Sequence, residues 1–336
     1  MGGDGGVNVT LPACLQALQH NSELFLLLVG DEQRMQPLLH AAPIELRDRF
    51  SVVHTVEAIA DDDKPGNVLR SGRQSSMFKA TEMVKEGAAE AMVSAGNTGA
   101  LLMMGRHLLK TLPGIQKPAI VATLPGASRQ TFLLDVGANP ECDSRQLFEF
   151  AVMGSVLAES LNGENVSVGL LNIGAEQYKG THEVQQAAKL MAASSELNYV
   201  GFIEASELFE GAADVVVCDG FVGNVTIKSS AGVANVVKKL LTAQMEDSLL
   251  TRLSGYSPTS MLTRLSSQIN PQRFNGASLI GLQGTVVKSH GNATSEGFFY
   301  AIQHAVREVE KAVPQLIADR VAAIMQLTGA DTVAAS

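Results

Sequence analysis

Residues 214–224 read DVVVCDGFVGN. Three valines and a cysteine follow one another without the polar alternation of a half-exposed strand, as expected for a strand buried on both faces of a parallel sheet. The run breaks at Asp219-Gly220, where a glycine-containing turn leads on to the next helix. The same pattern recurs along the chain. Apolar runs at 24–29, 51–56, 91–94, 119–124, 131–136, 166–173, 199–203 and 285–287 are strand-like. Between them, 74–86 and 147–161 carry apolar residues at helical spacing. This alternation predicts an α/β fold with a mostly parallel sheet and flanking helices. A chain of 336 residues is expected to form one such unit, residues 1–336, with two lobes.

Composition narrows the function. Hydrophobic residues make up 46% and charged residues 18%, a globular balance. A net charge of −9 argues against a general nucleic-acid-binding surface. The longest purely apolar run, 24–29, is far short of the ~20 residues a membrane-spanning helix needs. No basic-then-apolar signal stretch opens the sequence. Cys14, Cys142 and Cys218 are too scattered for a disulfide framework or a C-x-x-C metal knuckle. The expectation is a soluble protein of a reducing compartment.

Five of the apolar runs lead straight into small or amide residues: VGD at 29–31, SAGNTG at 94–99, DVGAN at 135–139, LNIGAE at 171–176 and CDGFVGN at 218–224. At the carboxyl end of a parallel strand, glycine lets backbone N–H groups approach an anion, and the following helix adds a favourable dipole. One such turn is an ordinary connection. Several with shared chemistry predict a phosphate-type site. Asn97, Asn139, Asn172 and Asn224 supply amide groups there without charge, and Thr98 supplies a hydroxyl. Residues 91–134 and 248–295 contain no Asp or Glu, yet hold Arg106, Lys110, Lys117, Arg129, Arg252, Arg264, Arg273 and Lys288. Buried strands account for part of that; a positive face for an acidic partner or an anionic surface accounts for the rest. Within the second window SLLTRLS at 248–254 recurs as SMLTRLS at 260–266, across a Gly/Pro turn. We expect an amphipathic helical hairpin over 241–270. Its apolar stripe, with Leu250 and Leu262, suits core or dimer packing, and Arg252 and Arg264 beside it suit anionic lipid.

Other chemistries lack their motifs. G-x-S-x-G, G-x-x-x-x-G-K-[ST] and a strand leading into G-x-G-x-x-G are absent. Asp61-Asp62-Asp63 sits in a polar loop and reads as solvated. Asp214 and Asp219 bracket one strand, about 16 Å apart, too far to share an ion. Cys218 reads as a small core hydrophobe. What remains is Asp219, Asn224 and Lys228 in one segment and Lys288 with His290 in VVKSHG. Lys-x-His on an extended segment points both side chains one way. Such a set suits phosphate binding and steadying charge in acyl transfer without a protein nucleophile.

Long stretches of the sequence, in order, resemble the PlsX-type phosphate acyltransferases of bacterial phospholipid synthesis: MGGDGG at the start, SSM at 75–77, MVKEGAAEAMVSAGNTGAL, LLDVGANPECDS, FAVMGSVLAE, VGLLNIGAEQYKGT, DVVVCDGFVGNVTIK and LQGTVVKSHGNA. The resemblance implies transfer of a long-chain acyl group from acyl carrier protein to inorganic phosphate. It implies a homodimer with a fold similar to isocitrate and isopropylmalate dehydrogenases, and a cytosolic enzyme in peripheral contact with the membrane. No metal or nicotinamide cofactor is implied. On this reading Asn97, Thr98 and Asn224 hold phosphate, Lys179 steadies it, and Lys288 or His290 stabilises the oxyanion or assists the departing thiol. Asp219 or Asp135 then orients one of those cations. The alternatives are a short-chain phosphotransacetylase using coenzyme A, a non-catalytic carrier-protein or membrane scaffold, and a nicotinamide dehydrogenase. Family members carry a strand immediately before MGGD, so a sheet built from residues 1–336 is expected to lack it and to gain stability when it is restored.

If the repeated hairpin meets lipid, Leu250→Asp with Leu262→Asp abolishes co-sedimentation with anionic vesicles. A parent protein that does not sediment with them rules the contact out.

Overall fold

The structure, a computed structural model, describes residues 1–126, 129–163, 165–247 and 271–334. The expected hairpin residues 248–270, with Leu250, Arg252, Leu262 and Arg264, lie outside the described residues. The strands are β1 (Leu26–Gly30), β2 (Phe50–His54), β3 (Ala91–Ser94), β4 (Ala119–Leu124), β5 (Thr131–Leu134), β6 (Ser167–Leu171), β7 (Asn198–Ile203), β8 (Val215–Val217), β9 (Ala277–Ile280) and β10 (Thr285–Lys288). The helices are α1 (Val7–His20), α2 (Glu32–His40), α3 (Pro65–Ser71), α4 (Ser76–Lys85), α5 (Thr98–Leu108), α6 (Ser144–Asn162), α7 (His182–Ala193), α8 (Gly220–Asp247), α9 (Ser295–Glu310) and α10 (Val313–Ala334).

β1 and β2 form a parallel pair, and the other strands form one sheet in the order β3-β10-β9-β4-β5-β8-β6-β7. The outer pairings are parallel, as the continuous apolar runs predict. The three central ones, β10–β9, β9–β4 and β4–β5, are antiparallel. β9 was not anticipated from sequence. It is four residues long and follows directly on a glycine, too short to show a period. β5 stops at Leu134, before the expected end at Val136, because Asp135 begins a turn.

Helices cover both faces. α6 and α9 lie on one face: Phe150, Met153 and Leu157 of α6 pack with Val121, Leu134 and Val217, while Ala301 and Ala305 of α9 meet Val287. α5 lies on the other face, where Leu101 and Met104 pack on Met92, Ile120, Leu279 and Val286. Farther along that face α8 closes over Leu133, Val216 and Cys218 through Ile227. Local signals set the helix starts. Asp143 and Gln146 form a reciprocal cap on α6, and Asn97, Ser75, Thr181 and Thr294 cap α5, α4, α7 and α9 with their side-chain oxygens.

Phe150 is fully buried in the largest of these clusters. Phe150→Ala is expected to cost about 3–5 kcal/mol, read as a lower urea midpoint at unchanged slope.

Candidate active site

One group of residues collects where β3 and β10 end. Lys288 closes β10 opposite Ser94 and is 9% exposed. Its Nζ donates to the Ala95 carbonyl at 3.4 Å and to the Ser289 carbonyl. Among the described residues it has no ion-pair partner. Burial pushes its pKa down to about 8, against the opposing pull of Asp61. His290 is also held below the ordinary histidine value, first by burial and then by the Lys288 charge. Its backbone N–H donates to Asn275 Oδ1 at 2.9 Å, and Asn275 Nδ2 donates to Ser289 Oγ at 2.8 Å. The first residues of the chain close over the group. Asp4 N–H donates to the Gly291 carbonyl at 2.9 Å, and a Cβ on Gly2 would stand 2.5 Å from Gly96 Cα. The MGGD glycines are therefore needed for backbone-to-backbone approach.

α5 starts beside this group. Asn97 Oδ1 accepts from Ala100 N–H at 3.0 Å, while Nδ2 donates to the carbonyls of Asp61 and Asp63 at 2.9 and 3.2 Å. Its amide is thus engaged in holding the acidic loop against the helix. Exposed Thr98 is the first helical residue, and the helix presents its leading N–H groups there.

A second group forms where β5 and β8 end. The Leu134–Asp135 peptide bond is cis. Asp135 is fully buried: Oδ1 accepts from the N–H groups of Ile120, Gly137 and Ala138 at 3.0–3.1 Å, and Oδ2 from Asn139 N–H and Nδ2 at 2.7 and 2.9 Å. Burial raises its pKa, and these donors oppose the rise. Asn139 completes its bonding to the Pro118 carbonyl, and its own carbonyl accepts from Gly220 N–H at 2.7 Å. A Cβ on Gly223 would stand 2.0 Å from the Asp135 carbonyl oxygen, so the CDGFVGN glycines are where α8 rides directly on this turn. Asp219 caps α8, accepting from Val222 N–H at 2.8 Å. Asn224 stands against Gly137, and Lys228, one turn on, is exposed.

The remaining candidates are otherwise engaged. Asn172 Nδ2 bridges the carbonyls of Gly174 and Lys179 at 3.2 Å, and Lys179 pairs with Glu176 at 2.7 Å. Arg129, one of the cations of the first carboxylate-free window, is bound to Asp214 at 2.7 Å.

The antiparallel centre of the sheet separates these groups. β8 runs against β10, so their carboxyl ends open at opposite ends of the sheet, and the five glycine turns do not share one end as sequence alone suggested. Through Ala277 and Ala122, the ladder register sets Lys288 in line with Leu133. Asp135 follows the end of β5, three strands over from Lys288. Among the described residues, Asp219 caps α8 and Asp135 is held by its own turn, and neither shows a hydrogen bond or ion pair to Lys288 or His290. The carboxylate acting on Lys288 is Asp61, from the loop that read as merely solvated. Asn275 and Ser289 were not singled out from sequence. Their signal, two small polar residues flanking a buried strand pair, is common to many loops.

Residues 1–316 match the family model described as "Fatty acid synthesis protein". The chain is 46% identical to a protein of Shewanella amazonensis named phosphate acyltransferase, over 97% of this chain and 96% of that one. It is 48% identical to a phosphate acyltransferase of Halorhodospira halophila, over 96% and 94%. Among solved structures, a phosphotransacetylase from Streptococcus pyogenes shares the fold at TM-score 0.59 and 16% identity, over 89% of this chain and 91% of that one. A branched-chain phosphotransacylase from Enterococcus faecalis does so at 0.52 and 15%, over 85% and 100%.

Replacing one Asp135 oxygen with an amide turns an acceptor into a donor facing buried N–H groups. Asp135→Asn is expected to cost about 2–3 kcal/mol, read as a lower melting temperature.

Proposed function

The chain belongs to the fatty acid synthesis protein family and is an acyltransferase, and from that premise we propose that it moves a long-chain acyl group from acyl carrier protein to inorganic phosphate. The observation that supports the Lys288 group as the reacting centre is a buried ammonium, without an ion-pair partner among the described residues, beside the amino end of α5. A second negative charge is welcome there, and water is largely excluded. Thr98, the leading N–H groups of α5 and Lys288 hold phosphate. A phosphate oxygen attacks the thioester carbonyl, the carbonyl oxygen takes the developing charge, and the C–S bond then breaks to release acyl phosphate and the carrier thiolate. Lys288, at about 8, is matched to a thiol of ordinary pKa near 8.5, so it both faces the oxyanion and hands a proton to sulfur. Neutral His290 completes the wall. On the second group, Asn224 and Lys228 face the donor.

The acidic carrier protein meets exposed Arg106 and Lys110. We assign a second copy of this chain to α8, where Phe221, Val225, Val233, Val236 and Leu240 are exposed at roughly helical spacing. The working place is the cytoplasm, with peripheral membrane contact through 248–270. No helix among the described residues is long and apolar enough to cross a membrane.

Palmitoyl-acyl carrier protein and phosphate are expected to give acyl phosphate, trapped as hydroxamate. Turnover with acetyl-coenzyme A but not with the carrier protein would make the enzyme a short-chain phosphotransacetylase instead. Lys288→Ala should lower kcat by about 10²–10³. Since Lys288 acts as the cation, the parent rate falls as pH rises through about 8, and Lys288→Arg moves that limb upward. Near-parental rates for both Lys288→Ala and His290→Ala would remove this centre from the mechanism.

A further inference from the structure

Lys288 Nζ donates to the carbonyl of Ser289, the residue that follows it. That carbonyl belongs to the Ser289–His290 peptide, which is trans. The N–H of the same peptide donates to Asn275 Oδ1 at 2.9 Å. In a trans peptide the C=O and the N–H point opposite ways. The acceptor that holds the N–H on one side therefore aims the oxygen at the ammonium on the other.

The Asn275 amide cannot turn over without losing partners. Its Nδ2 donates to Ser289 Oγ at 2.8 Å, and that hydroxyl donates in turn to the His290 carbonyl at 3.4 Å. Ser289 thus decides which end of the amide meets the His290 N–H. Asn275 is 4% exposed and Ser289 is fully buried, so bulk water does not compete for these contacts.

The segment that carries Asn275 is itself tied down. It follows the short 3-10 turn Pro271–Phe274, with Asn275 N–H on the Gln272 carbonyl at 3.2 Å. Gln272 Oε1 accepts from both the N–H and the hydroxyl of Thr294, the cap of α9, at 3.3 Å. Gly276 has a φ of +118°, and a Cβ there would stand 3.1 Å from Ala301 Cα of α9. Two residues on, Ser278 is bonded to His304 Nε2 at 2.7 Å and to Glu308 of the same helix. α9 therefore fixes where the Asn275 amide stands.

We propose that Asn275 is the positioning residue of the Lys288 group: by gripping the His290 N–H and the Ser289 hydroxyl, it holds the Ser289 carbonyl on the ammonium. Its effect on turnover rests on the reaction centre proposed above, while its effect on the ammonium is read without turnover. Losing the grip frees the peptide to turn its N–H toward Nζ. The charged form of Lys288 then loses an acceptor, and its pKa falls. The titratable groups around this centre are Asp61 of the loop before α3, His290, and Asp4 beside Gly291. All three are retained throughout the test.

The test compares the full chain with Asn275→Ala, Ser289→Ala, Lys288→Ala and the Asn275→Ala/Lys288→Ala pair. The Lys288 Cε resonance of isotope-labelled protein is titrated, and turnover of palmitoyl-acyl carrier protein with phosphate is followed across pH. Asn275→Ala and Ser289→Ala are each expected to lower the Lys288 pKa by about one unit, moving the alkaline limb of the rate down with it. kcat should fall about tenfold or more in Asn275→Ala, yet change less than about twofold when Lys288 is already alanine. Ser289→Ala removes a single oxygen, so it carries the titration if Asn275→Ala does not fold. An unmoved Lys288 titration overturns the proposal. So does an equal loss of kcat from Asn275→Ala with and without Lys288, which marks a structural role. A titration that moves while Lys288→Ala keeps parental turnover upholds the positioning and removes the reaction centre instead.

Discussion

β9 and β4 run against their neighbours in the middle of the sheet, and the placement of every candidate residue depends on that reversal. In an all-parallel sheet the glycine turns would open at one end and converge on one ligand. Here the turns after β3 and β10 open one way, and those after β5, β6 and β8 open the other. Lys288 and Asp135 are three strands apart. The protein thus presents two polar groups rather than one ring at one end.

The two groups handle buried charge in opposite ways. Asp135 accepts five N–H donors, so the carboxylate is satisfied internally and locks the DVGAN turn to β4. Among the described residues Lys288 donates only to carbonyl oxygens. A satisfied buried charge organises structure, while an incompletely satisfied one invites an anion. That contrast, rather than proximity to glycine, separates the group suited to reaction from the group that holds the scaffold. Much of the asparagine chemistry belongs to the scaffold for the same reason: Asn97, Asn139 and Asn172 each direct amide donors at backbone carbonyls, and Asn224 is left over.

Backbone approach explains the glycines that motif reading took for phosphate contacts. Gly2 meets Gly96 across the mouth of the first group, and Gly223 meets the Asp135 carbonyl under α8. Each glycine there replaces a side chain with another piece of main chain, and the packing of the amino-terminal segment and of α8 follows from that. Among the described residues, β1 and β3 each keep one edge without a ladder partner, and residues 24–29 and 91–96 line one cavity.

Buried strands such as 119–124 and 214–218 were legible because both faces are apolar over their whole length, and the helices over 147–161 and 74–86 because their apolar residues repeat at helical spacing. The α/β class and mostly parallel sheet follow from such local patterns. The family was legible in the same way, since VCDGFVGN, DVGAN and KSHGN are contiguous in the chain. Asp135, Asp219 and Lys288 were legible as polar residues at strand ends, but their partners were not. Strand direction and register depend on pairings that no local pattern encodes, two of them, β3–β10 and β4–β9, between segments more than a hundred residues apart. Only the tertiary structure decided that the Asp61 charge acts on Lys288 and that Asn275 holds Ser289 and the His290 backbone, because each joins residues distant in sequence.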